Sequence, residues 1–391
     1  RNSIKVYLRI KPDLKPRILG PPQDELFTVK SPTQLVTKFS KDSVSHEFQF
    51  TKVFKSDSTQ EDVYSQSVHG LMADFINGQN CLLFAYGTSS AGKTYTIQGP
   101  WCCRRVWMDS FFFFFFFFSG TPQEPGVLPR AISTLFNTII GRTSKVCRFK
   151  PYMFCRVQLL DETSVKEELA FKQKIMTWSI GSEQSQSSQS YTHTSELSSD
   201  SQSVSTFSSL LTHNISANMF REMQSRLTDL RSEIDAEKDT VFSVWVSFAE
   251  VYNENVFDLL EPISSRGHKR TNLTLGQDGT SNIYIKGLRH VWVTSGEEAY
   301  QVLLYGQHNL KFAPTGLNSV SSRSHCIFTI KLLKYKACEL PDSISISMFS
   351  FCDLAGAERL KNTQNVGERL RESQNINTSL LVLGRCLTTI R

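Results

Sequence analysis

The densest chemistry in the sequence lies at Gly87-Thr88-Ser89-Ser90-Ala91-Gly92-Lys93-Thr94. The spacing is G-x-x-x-x-G-K-[ST], that of a loop that cradles phosphate. The glycines allow a tight turn whose backbone N–H groups converge on an anion. A helix beginning there adds partial positive charge. The lysine reaches β- and γ-phosphates, and the threonine hydroxyl can ligate Mg²⁺. The competing reading is a Gly-rich surface turn. The flanks argue against it: Cys81-Leu82-Leu83-Phe84-Ala85-Tyr86 precedes the loop as a continuous apolar run, the pattern of a strand covered on both faces. A helical segment follows.

Mg²⁺ at such a loop calls for a second acid. Asp353 closes the apolar stretch ISISMFSFCD (344–353), and Leu354-Ala355-Gly356-Ala357-Glu358 comes next. An aspartate at a strand end is as often a turn former. Gly356 sharpens the case, because a glycine lets a backbone N–H approach a terminal phosphate and release it after cleavage. A third cluster is Asn318-Ser319-Val320-Ser321-Ser322-Arg323-Ser324-His325. Its hydroxyls and single arginine can complete a Mg²⁺ shell, position water and sense a γ-phosphate. Alone, a Ser-rich loop is usually only a loop; with the other two elements it completes a nucleotide switch.

The elements that must position these residues alternate. Ile4-Val6-Leu8-Ile10 shows a period of two, and further strand-like pieces are broken by Pro and Gly. Residues 60–77 fit one helix with Val63, Val68, Leu71 and Phe75 on one side. VFSVWVSFAEVY from Val241, residues 282–293 and residues 325–335 read as strands, and Asn375 to Arg391 as a helix. Strands interleaved with helices imply an α/β domain whose sheet is covered on both sides. Two segments stand outside this pattern. Residues 101–124 hold WCCRRVW and the run Phe111 to Phe118. Residues 142–240 form a long polar insertion, and its part 179–209, with 14 serines, reads as disordered. Phe220, Met223, Leu227, Leu230 and Ile234 then repeat at helical spacing, which predicts an amphipathic helix at about 215–238 packed on its own domain.

The 391 residues are 40% hydrophobic and 20% charged, enough to bury a core. Lys+Arg 43 against Asp+Glu 37 gives +6. That is too weak to argue for nucleic acid and is compatible with an acidic protein partner. The Phe run is too short to span a membrane, and the N-terminal RNSIKVYLRIKP has no secretory pattern. Nine cysteines without paired metal spacing read as thiols in a reducing compartment.

GTSSAGKT, NSVSSRSH and DLAGAE, in that order, resemble the three nucleotide elements of the kinesin motor domain. RIKP (9–12), FTKVFKSDSTQEDVY (50–64), GVLPRAISTLF (126–136), VSFAEVYNENVFDLL (246–260) and NINTSLLVLGRCL (375–387) extend the resemblance over most of the chain. The insertion between GVLPRAISTLF and the 240s strand, and TQNVGERLRESQNINTSLL (363–381), resemble the kinesin-six branch. The resemblance implies a P-loop NTPase, a three-layer α/β/α sandwich with a central mostly parallel or mixed sheet. It implies ATP and Mg²⁺ as ligands, a microtubule as partner, and spindle midzone or cytokinesis as setting. It further implies a cytoplasmic, cytoskeletal location, no nucleic acid, no membrane span, and a dimer formed through a stalk.

Residue by residue, the same resemblance implies that Arg9 and Pro12, with Tyr95, frame adenine. Gly87, Thr88, Ser89, Ser90, Ala91, Gly92, Lys93 and Thr94 hold the phosphates, with Asn318 nearby. Thr94 and Ser322 ligate Mg²⁺, and Asp353 binds it through water. Ser321 and Ser322 lie near the attacking water. Gly356 contacts the terminal phosphate. Arg323 and Glu358 pair to close the site, and Asn377 lies on the helix that reports nucleotide state. Lys269, Arg270, Arg359, Lys361, Arg369 and Arg371 are candidates to face the acidic filament.

Three departures from the family pattern give expectations of their own. Ala357 stands where a serine is usual, with little effect expected. The Phe run, an aggregation liability if exposed, is expected to be a gene-model artefact. The motor is expected to continue beyond Arg391, so that 1–391 is a motor domain truncated at its C-terminus. Two rival functions remain. One is a microtubule-binding kinesin-fold protein without productive motility. The other is a G-protein-like switch, which the absence of an N-K-x-D guanine signal disfavours.

Overall fold

A computed structural model describes residues 4–12, 27–38, 45–108, 111–119, 123–178, 218–227, 231–262, 270–312, 323–338, 341–358 and 368–390, with 38, 101–108, 111–119, 311–312, 368–370 and 390 described by backbone alone. The central sheet is built from β1 (Cys81–Ala85), β2 (Thr240–Tyr252), β3 (Asn255–Asp258), β4 (Val291–Val293), β5 (His325–Lys336) and β6 (Ser345–Asp353). Its order is β3-β2-β5-β6-β1, with β4 also paired to β2. β1 and β6 run parallel with Ala85 beside Asp353. The other pairs are antiparallel. The sheet is therefore mixed, and within this described sheet its parallel pairing is confined to β1 and β6. The helices are α1 (Gln60–Ser67), α2 (His69–Ile76), α3 (Lys93–Ile97), α4 (Val127–Thr138), α5 (Glu162–Met176), α6 (Gly296–Phe312) and α7 (Glu368–Ile390).

Strand alternation sorts the two faces. Val244, Val246, Phe248, Phe328, Ile330, Phe349 and Phe351 bury against Tyr64, Phe75, Ile132 and Leu303 of α1, α2, α4 and α6. On the opposite face, Trp245, Leu333 and Tyr335 lie with Phe149 of the hairpin Phe149–Tyr152/Arg156–Leu159 at one end. Cys352 and Leu354 lie under Ile376, Leu380 and Leu383 of α7 at the other end. Burial on both faces explains why β2 reads as an unbroken apolar run. The single helix expected over 60–77 is divided at Val68, which is fully buried between α1 and α2. α1 begins with a capping box between Thr59 and Asp62.

The described parts of the insertion pack onto the domain core. Thr143 bridges to Phe242, and α5, N-capped by Asp161, lies along α6. Lys172 Nζ reaches Glu298 Oε2 at 2.6 Å, Trp178 stacks edge-on to Tyr305, and Gln301 Nε2 donates to the Ile175 carbonyl. The amphipathic segment is helical over 218–226, where Phe220 and Met223 are buried. Arg221 Nε meets Glu297 Oε1 at 2.7 Å.

Residues 231–237 are not helical, a correction to the helix expected up to 238. Their backbone is bonded sideways instead. Asn77 Oδ1 accepts from the Asp235 N–H, Asn77 Nδ2 donates to the Glu233 carbonyl, and Thr138 Oγ1 accepts from the Ser232 N–H. These tertiary bonds replace the helical ladder while Ile234 still packs on the core. The segment 179–209 lies outside the described residues. Trp101–Met108 and Phe111–Ser119 pair as a two-stranded antiparallel ribbon. Among the described residues no helix is long and apolar enough to cross a membrane.

Candidate nucleotide site

β1 and β6 end side by side, so their carboxyl ends open into one crevice, where ligands of α/β sheets bind. The loop from Gly87 to Gly92 leaves β1 there. Ser90 has φ 61° and Gly92 φ 100°, left-handed values that reverse the chain so that α3 starts at Lys93. Lys93 Nζ donates to the Gly87 carbonyl at 2.9 Å and the Thr88 carbonyl at 2.8 Å. Burial lowers the Lys93 pKa, against the opposing pull of Asp353 and Glu358.

Alternation along β6 puts Phe349, Phe351 and Asp353 on the face that carries α3. There Thr94 Oγ1 donates to Asp353 Oδ2 at 2.5 Å. Asp353 is 8% exposed, and its Oδ1 is buried without a hydrogen-bond partner. Burial raises its pKa to about 6, although the Thr94 hydroxyl and Lys93 pull the other way. Among the described residues no cluster of three His, Cys, Asp or Glu could hold a metal alone. An ion at this point would share Asp353 and Thr94 with oxygens of a ligand, which suits Mg²⁺. The unpartnered Oδ1 is the acceptor such an ion or its water needs.

The next turn closes over the loop. The Ala357 N–H donates to the Gly87 carbonyl at 3.1 Å, and Glu358 Oε1 accepts from the Ser89 N–H. A Cβ on Gly356 would lie 2.4 Å from both Ser89 Oγ and Glu358 Oε1, so a larger residue would push these side-chain ends out of their present contact. His325 accepts from the Ala355 N–H on Nδ1 at 3.1 Å, and its Nε2 meets Ser379 Oγ at 3.1 Å. With Nδ1 accepting, Nε2 carries the proton and donates to Ser379. Asn377 Nδ2 donates to the Glu358 carbonyl at 3.0 Å. α7 is thereby tied directly to the turn after β6.

At the far wall, Arg9 lies over the Tyr95 ring at 5.0 Å. Its Nη1 also donates to Gln60 Oε1 and Thr96 Oγ1, at 2.8 and 3.0 Å. The Tyr95 hydroxyl donates to Glu124, and Lys11 Nζ donates to the Ser90 carbonyl at 2.8 Å. Arg9 and Tyr95 are thus together as expected, while Pro12 is exposed. Gln60, Glu124 and Lys11 were not singled out from the sequence. Lys11 is the lysine of RIKP, which the resemblance gave no separate role, and Gln60 at the start of α1 and Glu124 carried no chemical signal of their own.

Two expectations need correction. Arg323 does not pair with Glu358 in this structure; its Nη1 donates to Glu372 Oε2. The cause is α7, which starts at Glu368 and brings Glu372 beside β5, while Glu358 turns to Ser89. Arg270 is not a free surface cation. Its guanidinium bonds Glu250, which is fully buried, at 2.6 Å and covers the Phe257 ring. Arg371 is exposed. Asn318, Ser321, Ser322, Lys269, Arg359 and Lys361 lie outside the described residues, as does the Arg369 side chain.

Comparison with known proteins matches the family "Kinesin motor domain" over residues 22–391. Kinesin-like protein KIF20A of Mus musculus is 34% identical over 411 residues, spanning 100% of this chain and 43% of that protein. Kinesin-like protein KIF20B of Homo sapiens is 34% identical over 366 residues, 93% of this chain and 18% of that protein. The Drosophila melanogaster protein subito is 34% identical over 90% of this chain and 48% of its own length. The chain thus spans less than half of each of these relatives. Among solved structures, "kinesin 6" superposes with a TM-score of 0.64 at 24% identity, over 99% of this chain and 82% of that one. That likeness bears on the fold. With the family matching nearly the whole length, the chain belongs to the kinesin motor domain family, in its kinesin-six branch.

Proposed function

We propose that this chain binds and hydrolyses ATP with Mg²⁺ and couples the cycle to microtubule binding. The observation that carries the reading is the Thr94–Asp353 contact, which leaves Asp353 Oδ1 buried and unpartnered beside the phosphate loop. Bound Mg²⁺ supplies charge neutralisation for the phosphates, with Thr94, Ser322 and Asp353 as its protein-side holders. The N–H groups of 87–94 and the Lys93 ammonium receive phosphate oxygens once Lys93 gives up the Gly87 and Thr88 carbonyls. Arg9 and Tyr95, with Pro12, hold the base. Ser321 and Ser322 orient water, the Gly356 N–H senses the terminal phosphate, and Arg323 and Glu358 close the crevice. Rate comes from positioning and preorganised charge, since phosphoryl transfer needs little covalent help from the protein.

The kinesin-six placement supports a setting on the cytoskeleton in dividing cells, at the spindle midzone or in cytokinesis, and dimerisation through a stalk. Nucleic acid has no part in this reading. Lys93→Ala is expected to abolish ATP binding; wild-type affinity in that variant would refute the site. An ATP-against-GTP competition separates this reading from a G-protein-like switch. Microtubule-stimulated phosphate release separates it from a filament-binding protein without productive motility.

A further inference from the structure

One cation faces two acids on different elements. Arg323 stands just before β5, and its side chain is 29% exposed; Glu372, on α7, is 13% exposed and holds it. Burial raises the pKa of Tyr252, at the end of β2, and the neighbouring Glu372 carboxylate raises it further. The acid is held by Arg323, with Tyr252 beside it, and most of its surface is withdrawn from water. Glu358, the other candidate, is bonded to the Ser89 N–H and lies near Lys93. Both its oxygens crowd the position above Gly356. No ion pair joins Arg323 to Glu358 among the described residues. The helix that supplies Glu372 also grips Glu358 through Asn377 and His325 through Ser379. One rigid element thus holds the arginine on one side and the closing acid on the other.

We infer that Glu372 is a positioning residue that sequesters Arg323 from Glu358, so that α7 must release the arginine before the site can close. The inference rests on the ATPase reading above and names the control of that same site. A guanidinium paired with a largely desolvated carboxylate is held more firmly than one facing water. Its release costs free energy, and any filament contact that shifts α7 would supply it. Glu372 contacts neither phosphate nor water in this scheme; it acts only through Arg323. The device sets the ratio of held to free arginine, and so the turnover that occurs without a filament.

The test is steady-state ATP turnover of the full chain without microtubules. Glu372→Gln keeps the shape and removes the charge. It is expected to raise kcat about tenfold with KM unchanged. Tyr252→Phe loosens the same acid and should raise kcat by less. In a Glu358→Gln background the Glu372→Gln gain should vanish, because the freed arginine has no acid to meet; a merely structural effect would persist there. An unchanged or lower kcat in Glu372→Gln overturns the inference, as does a gain that survives Glu358→Gln. Where Glu372→Gln fails to fold, Tyr252→Phe decides by the same criterion. The pair is read independently of turnover by a thermal-unfolding cycle of Arg323→Ala and Glu372→Ala. Non-additive shifts support it and additive shifts overturn it. A wild-type chain without turnover but with non-additive shifts would defeat the ATPase reading and leave the pair standing.

Discussion

Asp353 and Glu358 belong to the same stretch of chain after β6, and their carboxyls sit in opposite surroundings. Asp353 is sunk into the sheet face, met by one hydroxyl, and its pKa is pushed up to about 6 by burial. Glu358 is half-buried. Burial works to raise it as well, yet the Ser89 hydroxyl and N–H, with Lys93, outweigh that and lower it. The first acid is assembled by the strand register itself: Asp353 beside Ala85 fixes it against the loop that leaves β1. The second depends on side chains from a loop and from α7. A position written into the sheet is present whatever the ligand state. A position written into helix-to-loop contacts can be exchanged, as the pairing of Arg323 with Glu372 illustrates.

The largest effect expected from this contrast is at the fixed acid. Asp353→Ala removes the acceptor of Thr94 and the orphan oxygen, and ATP turnover should fall on the order of 10³-fold. A fall below tenfold in steady-state rate would mean the sheet-borne acid is not at the reacting phosphates.

The next concerns pH. The folded-state value of Asp353 lies above its free value of 3.8, at about 6. The folded chain therefore keeps the proton longer than the unfolded one. The associated stability is fully present below 3.8 and is lost as the pH rises through 6, in total up to about 3 kcal/mol. Glu358 has the reverse sign, with stability present above its free value of 4.5 and lost on acidification. In nucleotide-free protein, Asp353→Asn should flatten the fall of denaturant-derived stability between pH 4 and 6. An unchanged slope would show that Asp353 is not the buried titrating acid.

At the exchangeable acid, Glu358→Gln should leave nucleotide affinity near wild type and reduce microtubule-stimulated turnover about 100-fold. Equal losses in affinity and turnover, measured by titration and single-turnover kinetics, would place Glu358 with the fixed acid instead. The smallest effect is at the hook between His325 and α7. Ser379→Ala should cost about 1 kcal/mol in a denaturant melt. A larger loss would mean that α7 is fastened more firmly than an exchangeable element can be.

What the sequence disclosed follows the same division. The phosphate loop was legible because its chemistry is contiguous: glycines, Lys93 and Thr94 sit in one run after an apolar strand. Asp353 was legible because it ends a strand of period two. That Arg323 rests on Glu372 in this structure was not legible, because a charge pair between separate elements has no period. Glu372 carried no signal of its own in the sequence, and only α7 turns it inward to Arg323. The stretch 231–237 was misread for a related reason, since its apolar spacing imitates a helix while Asn77 and Thr138 supply the bonds a helix would have made itself. The hairpin at 149–159 rests on Lys150–Glu168 and on Lys331 donating to the Met153 and Phe154 carbonyls, and the seat of α5 on α6 rests on Lys172–Glu298 and the Trp178–Tyr305 stack, contacts that only the folded chain brings together.

The most direct measurement is phosphate release from ATP by the full chain, followed with and without microtubules. The structure-based reading predicts slow release alone, strong acceleration on the filament, and neither in Lys93→Ala. Release that is absent in the wild type under both conditions, or that persists in Lys93→Ala, would contradict it.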